Sequence, residues 1–268
     1  MRTAVVATLV VALSTGFALA QTGHLYGIAD GGDGSGVIYE IDTATGAASF
    51  VVELDADFGL LGGLTFLGGQ LYATGLRNIP GAPTSGSALG HIDLATGHVT
   101  YVSDLDGRIN VQGLASNEAA GVFYGIDGFE RKLLSITPSG IITPIGDTTP
   151  DGRGMAYDDG AGVLYAISLD DNLYTVDTLT GAGTLIGAVD IPPTGFDQSG
   201  LAFDEFTRTL YVNDAVGDSL WIIDTATGAP TLVGANGVDG ITGLAWVPSP
   251  GASIIGIAMG GWLARRRR

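Results

Sequence analysis

Residues 200–234 read GLAFDEFTRTLYVNDAVGDSLWIIDTATGAPTLVG. Four short runs rich in Leu, Val, Ile, Thr and aromatic residues, at Gly200 to Phe203, Thr209 to Asn213, Leu220 to Asp224 and Pro230 to Val233, are separated by turn-forming residues. Runs of this length and composition predict β-strands, because branched and aromatic side chains pack well on a pleated surface. The third and fourth runs are joined through IDTATG. There the Asp224 carboxylate can accept bonds from the amides that follow it, and Gly228 can take the positive φ that closes the loop.

The same phrase returns along the chain. Its second strand carries an apolar residue and a tyrosine at Leu25-Tyr26, Leu71-Tyr72, Phe123-Tyr124, Leu164-Tyr165 and Leu210-Tyr211, with spacings between tyrosines of 46, 52, 41 and 46 residues. That period is the length of a four-stranded propeller blade. Asp42 with Gly46, Asp93 with Gly97 and Asp177 with Gly181 repeat the hairpin, and ITPSG, with Thr137 in the aspartate position, replaces it once. Gly63, Gly113, Gly154, Gly200 and Gly243 each precede Leu or Met at the start of a first strand, where blades crowd toward an axis and a side chain would collide. The chain enters the pattern on a second strand, HLYGIA, and leaves it on a first strand, ITGLAWV. The expected fold is therefore all-β: a five-bladed β-propeller of four-stranded antiparallel blades, its first blade closed by N- and C-terminal strands, with short apolar helices at both termini. The segment from Thr74 to Leu89 is rich in Gly, Pro and Ser without a strand pattern, so no sixth blade is expected there.

Composition narrows the chemistry. The 268 residues are 46% hydrophobic, enough for a sizeable core, and the 44 glycines follow no three-residue period. The absence of cysteine excludes disulfides and sulfur-based zinc sites. Arg2 and the four C-terminal arginines are five of the 11 basic residues, so the part between carries six basic against 28 acidic groups, a net charge of −22. That sign repels phosphate backbones, excludes nucleic acid and favours a cationic partner.

The ends read as delivery signals. Residues 1–20 have Arg2, an apolar run from Ala4 to Leu13 and small residues up to Ala20, the pattern that signal peptidase cuts, which places the mature start at Gln21. After a propeller at residues 21–247, residues 248–268 hold an uninterrupted apolar stretch from Ala252 to Ala264, followed by Arg265, Arg266, Arg267 and Arg268. The stretch is short for a spanning helix of about 20 residues, and the arginines would stay on the cytoplasmic side, which suits a transient membrane association. Val247-Pro248-Ser249-Pro250, the short apolar segment and the arginine cluster together resemble the PEP-CTERM sorting tail of exported bacterial proteins, with Ser249 where a glutamate is usual. The resemblance implies removal of the tail near Pro250 by an exosortase-type enzyme and delivery to the envelope, the cell surface or the extracellular space.

Residues 24 to 247 resemble the propellers of exported bacterial proteins in the quinoprotein-like and lactonase-like group. This likeness implies architecture and leaves activity open, since propellers host hydrolases, lyases, binders and scaffolds. His24, His91 and His98 are assigned to a second, a third and an outer strand, and neither a Gly-x-Ser-x-Gly elbow nor a His-Glu-x-x-His pair occurs, which disfavours histidine-based catalysis. A lactonase-type site needs Glu, Asn and Asp around one metal; Asn110, Asn172 and Asn213 are available, but no first strand begins with a glutamate.

In a propeller the loops from outer to inner and from second to third strands gather at one face. Asp55, Asp57, Asp127, Asp214 and Asp218 are assigned to it, as are the candidate metal ligands Asp30, Asp33, Asp170 and Asp171, whose oxygen-rich loops would suit Ca²⁺. Before the first-strand glycines stand Gly62, Gln112, Arg153, Ser199 and Thr242. Arg153 beside Asp151 can orient an anionic group or neutralise its neighbours, and Asp151, Arg153, Gln112, Asp197 and Asp239 form the candidate binding set at the channel mouth. The expected role is a non-catalytic binding or scaffold module for a surface polysaccharide or protein, delivered by the C-terminal signal. The alternative is a calcium-dependent lactonase or glycan-acting hydrolase or lyase at the channel mouth.

Overall fold

The structure, a computed structural model, describes residues 23–31, 34–58, 62–80, 88–105, 111–148, 151–191 and 199–249. The expected terminal helices fall outside these residues. Among the described residues no helix is long and apolar enough to cross a membrane.

Among the described residues, twenty antiparallel strands are arranged in groups of four. The first comprises β1 (Gly23–Asp30), β2 (Ser35–Ile41) and β3 (Ala48–Phe58), completed by β20 (Ile241–Pro248), and the second β4 (Leu64–Leu67), β5 (Gln70–Arg77), β6 (Ala88–Ile92) and β7 (Val99–Asp104). The third holds β8 (Val111–Asn117), β9 (Val122–Asp127), β10 (Lys132–Ile136) and β11 (Ile142–Asp147). The fourth holds β12 (Gly152–Asp158), β13 (Val163–Ser168), β14 (Asn172–Val176) and β15 (Gly183–Ala188), and the last β16 (Ser199–Asp204), β17 (Thr209–Asp214), β18 (Ser219–Ile223) and β19 (Pro230–Ala235). The last three groups are separate sheets, whereas the first two are joined by a short bridge of Asp57 and Phe58 with Arg77 and Leu76. Such antiparallel four-stranded sheets fit a propeller. The phase of the repeat is met by β20, which pairs with β1 so that Leu25 faces Trp246 and Tyr26 faces Ala245.

The inner strands β4, β8, β12, β16 and β20 approach backbone to backbone. A Cβ on Gly63 would lie 2.4 Å from Leu114 N, and one on Gly200 would lie 2.5 Å from Leu244 N, which is why only glycine fits here. Outside this tight centre, buried side chains form clusters that each join consecutive groups. Leu64 and Leu71 pack with Ile28 and Ile38, Phe123 with Leu89, Leu164 with Leu133, and Ile223 with Leu173. Leu25 and Ile41 of the first group share a cluster with Leu220 of the last. The repeated tyrosines serve the same joints: Tyr124 meets Tyr157, Tyr165 stacks on Phe203 and Tyr211 on Trp246, with ring centroids 5.7, 6.0 and 6.3 Å apart.

The hairpins form as their chemistry predicts. Asp224 Oδ1 accepts from the amides of Ala226 and Thr227 at 2.8 and 2.9 Å, Gly228 has φ of 80°, and Asp42 does the same with Ala44 and Thr45. In the variant turn the Thr137 hydroxyl accepts from Ile141 N at 3.0 Å. Each outer strand also carries a β-bulge, at Val51, Val102, Ile145, Ile186 and Val233. The bulge turns the strand so that the next residue abuts the hairpin of the following group. A Cβ on Gly146, Gly187 or Gly234 would meet the carbonyl oxygen of Thr180, Thr227 or Thr45 at about 2 Å.

Three sequence assignments change. Asp55 and Asp57 are strand residues, because β3 continues to Phe58. Asp55 is held there by the next group, accepting from Val99 N at 2.8 Å and contacting His98 Nδ1 at 2.7 Å. His98 itself lies in the turn before β7.

Candidate functional site

The loops from second to third and from outer to inner strands gather at one end of the axis and lock onto each other. Arg131, Asp171 and Asp218 end their turns with φ of 55°, 58° and 46°, a left-handed conformation costly for residues with a Cβ. Their carbonyls are repaid by amides of the returning loops: Thr148, Val189 and Asn236 donate to them at 2.7, 2.7 and 2.8 Å. Asp127 and Asp214, assigned from sequence to an acidic rim, are instead buried at the ends of β9 and β17. They cap the turns by accepting from Phe129 N at 2.9 Å and Val216 N at 3.0 Å.

At the centre of this end, all the inner strands border a narrow axial space, lined by Gly62, Arg153, Thr242 and the inner-strand glycines. Bulges in the inner strands fall at Gly113, Arg153 and Thr242, each an extra residue opposite the second strand. A bulge re-aims the side chain it carries. Thr242 is 5% exposed, and its Oγ1 finds no hydrogen-bond partner among the described residues.

The structure brings together part of the candidate binding set. Arg153 lines the axial space. Asp151 is close by in sequence but pairs with Arg131 of the preceding group, Nη2 to Oδ2 at 3.0 Å, while its carbonyl accepts from Leu169 N. Gln112 is buried against the turn of its own group, where a Cβ on Gly128 would meet its side-chain amide at 2.6 Å. Asp239 is exposed in the loop leading into β20, and Asp197 lies outside the described residues.

Of the candidate metal ligands, Asp30 ends β1 and Asp33 lies outside the described residues. Asp170 spends one oxygen on the Ser168 hydroxyl and the other on the Tyr174 hydroxyl, at 3.0 Å for the latter, while Asp171 shapes the turn backbone. Among the described residues no group of three or more His, Asp or Glu side chains is placed to hold a metal ion. Asn213 is fully buried; it donates to the Ile241 carbonyl at 2.9 Å and accepts from Asn236, tying the last group to β20. Pro248 closes β20 opposite Gly23. Ala20, Gln21, Pro250, Arg265, Arg266, Arg267 and Arg268 lie outside the described residues.

The opposite end carries an arrangement that the sequence repeat conceals. Three successive turns between inner and second strands each pass an amide to an acidic side chain in the next: Gly68 N donates to Glu118 at 3.0 Å, Glu118 N to Asp159 at 3.0 Å, and Asp159 N to Glu205 at 2.5 Å. Burial, with the nearby charges of Glu205 and Glu118, pushes the Asp159 carboxyl up to about 6, although the amides of Glu118 and Ala119 oppose the shift. Glu205 is raised for the same first reason. Beside them the Arg208 guanidinium pairs with the buried Asp158 carboxylate, contacts Glu205 at 2.8 Å and lies 4.7 Å from the Phe203 ring centroid.

No protein-family model matches the sequence, and no curated protein is detectably similar to it. Solved structures do match. A chain of a nidogen/laminin complex superposes with a TM-score of 0.54 at 16% identity, over 84% of this chain and 98% of the other. A structural genomics protein of unknown function from Bacteroides thetaiotaomicron superposes with a TM-score of 0.52 at 16% identity, over 84% of this chain and 62% of the other. The fold is that of a β-propeller. At this identity the likeness concerns the propeller alone, and the chemistry of its axial mouth has to be read from its own side chains.

Proposed function

We propose that this protein is an exported, surface-delivered propeller of five closed blades that acts as a non-catalytic binding module, with the axial mouth as its binding face. The observation that carries this reading is the way recurrent polar residues are spent. Asp42, Asp93, Asp177 and Asp224 hold hairpin amides, Asp127 and Asp214 cap turns at the mouth, and Asp158 and Asp204 cap turns at the far end. Their common task is to build a rigid ring, and the polar residues among those that line the axial space are Arg153 and Thr242. The five-blade count is supported by the joints between consecutive groups, including the cluster that links Leu220 to Leu25.

Delivery is proposed from the ends of the chain: a signal peptide over residues 1–20 and a sorting tail over residues 248–268. Gly23 of β1 and Pro248 of β20 pair at the same margin of one sheet, so cuts before Gln21 and near Pro250 would spare the strand pairing. Signal peptidase, an exosortase-type enzyme and a surface polysaccharide or cationic protein are the partners this reading assigns. Mass spectrometry of the protein recovered from a native envelope tests it: a start at Gln21 and loss of Arg265 to Arg268 are expected. A mature form that keeps the terminal arginines would remove the sorting role.

A further inference from the structure

We propose that the end of the axis opposite the mouth binds a small primary alkylammonium ion, in a well walled by aromatic rings and rimmed by carboxylates. The site is separate from the mouth and does not depend on it. Phe66, Tyr157, Phe203 and Trp246 hold equivalent places on four of the five inner strands, each three residues after a first-strand glycine. All four line one space at that end, with Ser116 in the fifth place. Leu114, Met155, Leu201 and Leu244 border both this space and the narrow one at the mouth, so an apolar floor lies between the two. The well has room for about three water-sized groups.

Charge then selects the occupant. Aromatic faces attract cations, and more strongly where water is excluded. One ring of the set already holds a cation, since the Arg208 guanidinium lies 4.7 Å from the Phe203 centroid. Phe66, Tyr157 and Trp246 are the rings left to a ligand. Glu118, Asp159 and Glu205 stand two residues beyond Ser116, Tyr157 and Phe203. Arg208 answers Glu205, whereas Glu118 and Asp159 pair with no Lys or Arg among the described residues. Burial first, then Tyr124 and the charges of Asp159, Asp158 and Glu205, push the Tyr157 phenol up, which sets those charges beside the wall. A cation is therefore drawn in and an anion refused. Within the well, Ser116 Oγ accepts from the Thr65 hydroxyl at 3.1 Å and keeps a lone pair for an ammonium N–H, which favours a primary amine over a quaternary one. With room for about three heavy atoms, ethylammonium is the fitting probe.

The test is an NMR titration of the full chain at low salt and about pH 8, above the Asp159 titration, with ethylammonium, ethanol, acetate and tetramethylammonium. The indole N–H signal of Trp246, one of three tryptophans and assigned with Trp246→Phe, reports on the well. Ethylammonium is expected to shift it with a dissociation constant of at best about 1 mM, the ceiling for a ligand of about three heavy atoms. It should bind about tenfold more tightly than ethanol, its neutral counterpart, as a desolvated cation on an aromatic face implies. Phe66→Leu keeps apolar volume but removes a ring, and should weaken ethylammonium several-fold while leaving ethanol unchanged. Glu118→Gln with Asp159→Asn should remove most of the advantage over ethanol, and a thermal melt of each variant reports its folding. No shift at Trp246, or ethanol or acetate binding as tightly as ethylammonium, overturns the proposal. So does affinity untouched by both the ring and the charge variants in folded protein, and tetramethylammonium binding as tightly as ethylammonium overturns the choice of a primary amine. None of these results bears on the mouth.

Discussion

Replacing Asp159 by Asn is expected to flatten the protein's stability between pH 4 and 7. The carboxyl is raised from 3.8 to about 6 in the folded chain, chiefly by burial. Between those values the folded state binds a proton that the unfolded state has released, so stability falls as pH rises through the window. Two units correspond to about 3 kcal/mol at most, at about 1.36 kcal/mol per unit. The side chain is only half-buried, and solvent screening reduces this to about 1 kcal/mol. In a propeller of this size that is a shift in Tm of about 2–4 °C. Asn keeps the carbonyl that accepts from Glu118 N and has no charge to lose, so thermal melts from pH 4 to 7 should show the variant gaining on the parent as pH rises. Glu205 titrates in the same sense and is present in both proteins, which is why the difference between them is the quantity to measure. Asp42, Asp93 and Asp224 are lowered by hairpin amides, and their contribution is lost only as pH falls below the usual carboxylate range, outside the window. A constant difference between variant and parent across the range would refute the reasoning.

Three further outcomes are expected. Gly200→Ala places a methyl 2.5 Å from Leu244 N, against backbone that cannot yield, and should abolish cooperative unfolding or lower Tm sharply; a parent-like melt would mean that the inner strands do not meet there. Arg208→Gln leaves the buried Asp158 carboxylate without its cation and should cost about 2 kcal/mol in urea unfolding, part of which Asp158→Asn in the same chain restores. Addition of Ca²⁺ followed by chelator should leave Tm unchanged, whereas a gain near 2.7 kcal/mol, expected at a hundredfold excess over the dissociation constant, would favour the calcium-dependent hydrolase or lyase.

The ring was legible in sequence because its joints use residues with one physical job. The hairpin aspartates, the crowded inner-strand glycines and the second-strand tyrosines each recur at a fixed place, and the starting phase of the repeat was enough to pair β1 with β20. What stayed hidden depends on geometry between groups. The bulge at Val233 looks like any strand valine, and Arg131 gives no sign in one dimension that it sits at positive φ and reaches Asp151. At the mouth, Arg153 could be singled out as a rare cation near the axis, but Gln112, at the equivalent place, turns away into its own sheet because its bulge falls one residue later, at Gly113. The linked turns from Gly68 to Glu205 were invisible because each acid accepts its backbone amide from the group before it and not from its own loop.

Closure of the ring by its two ends is tested most directly with a cross-link, in a chain that has no cysteine to confuse it. His24 and Val247 are directly opposed on β1 and β20, so His24→Cys together with Val247→Cys should oxidise to a disulfide in the folded protein. The bond would enclose over two hundred residues and raise stability by about 5 kcal/mol. A pair that remains reduced under native conditions, or oxidises only after denaturation, would contradict a propeller in which the first and last strands share one sheet.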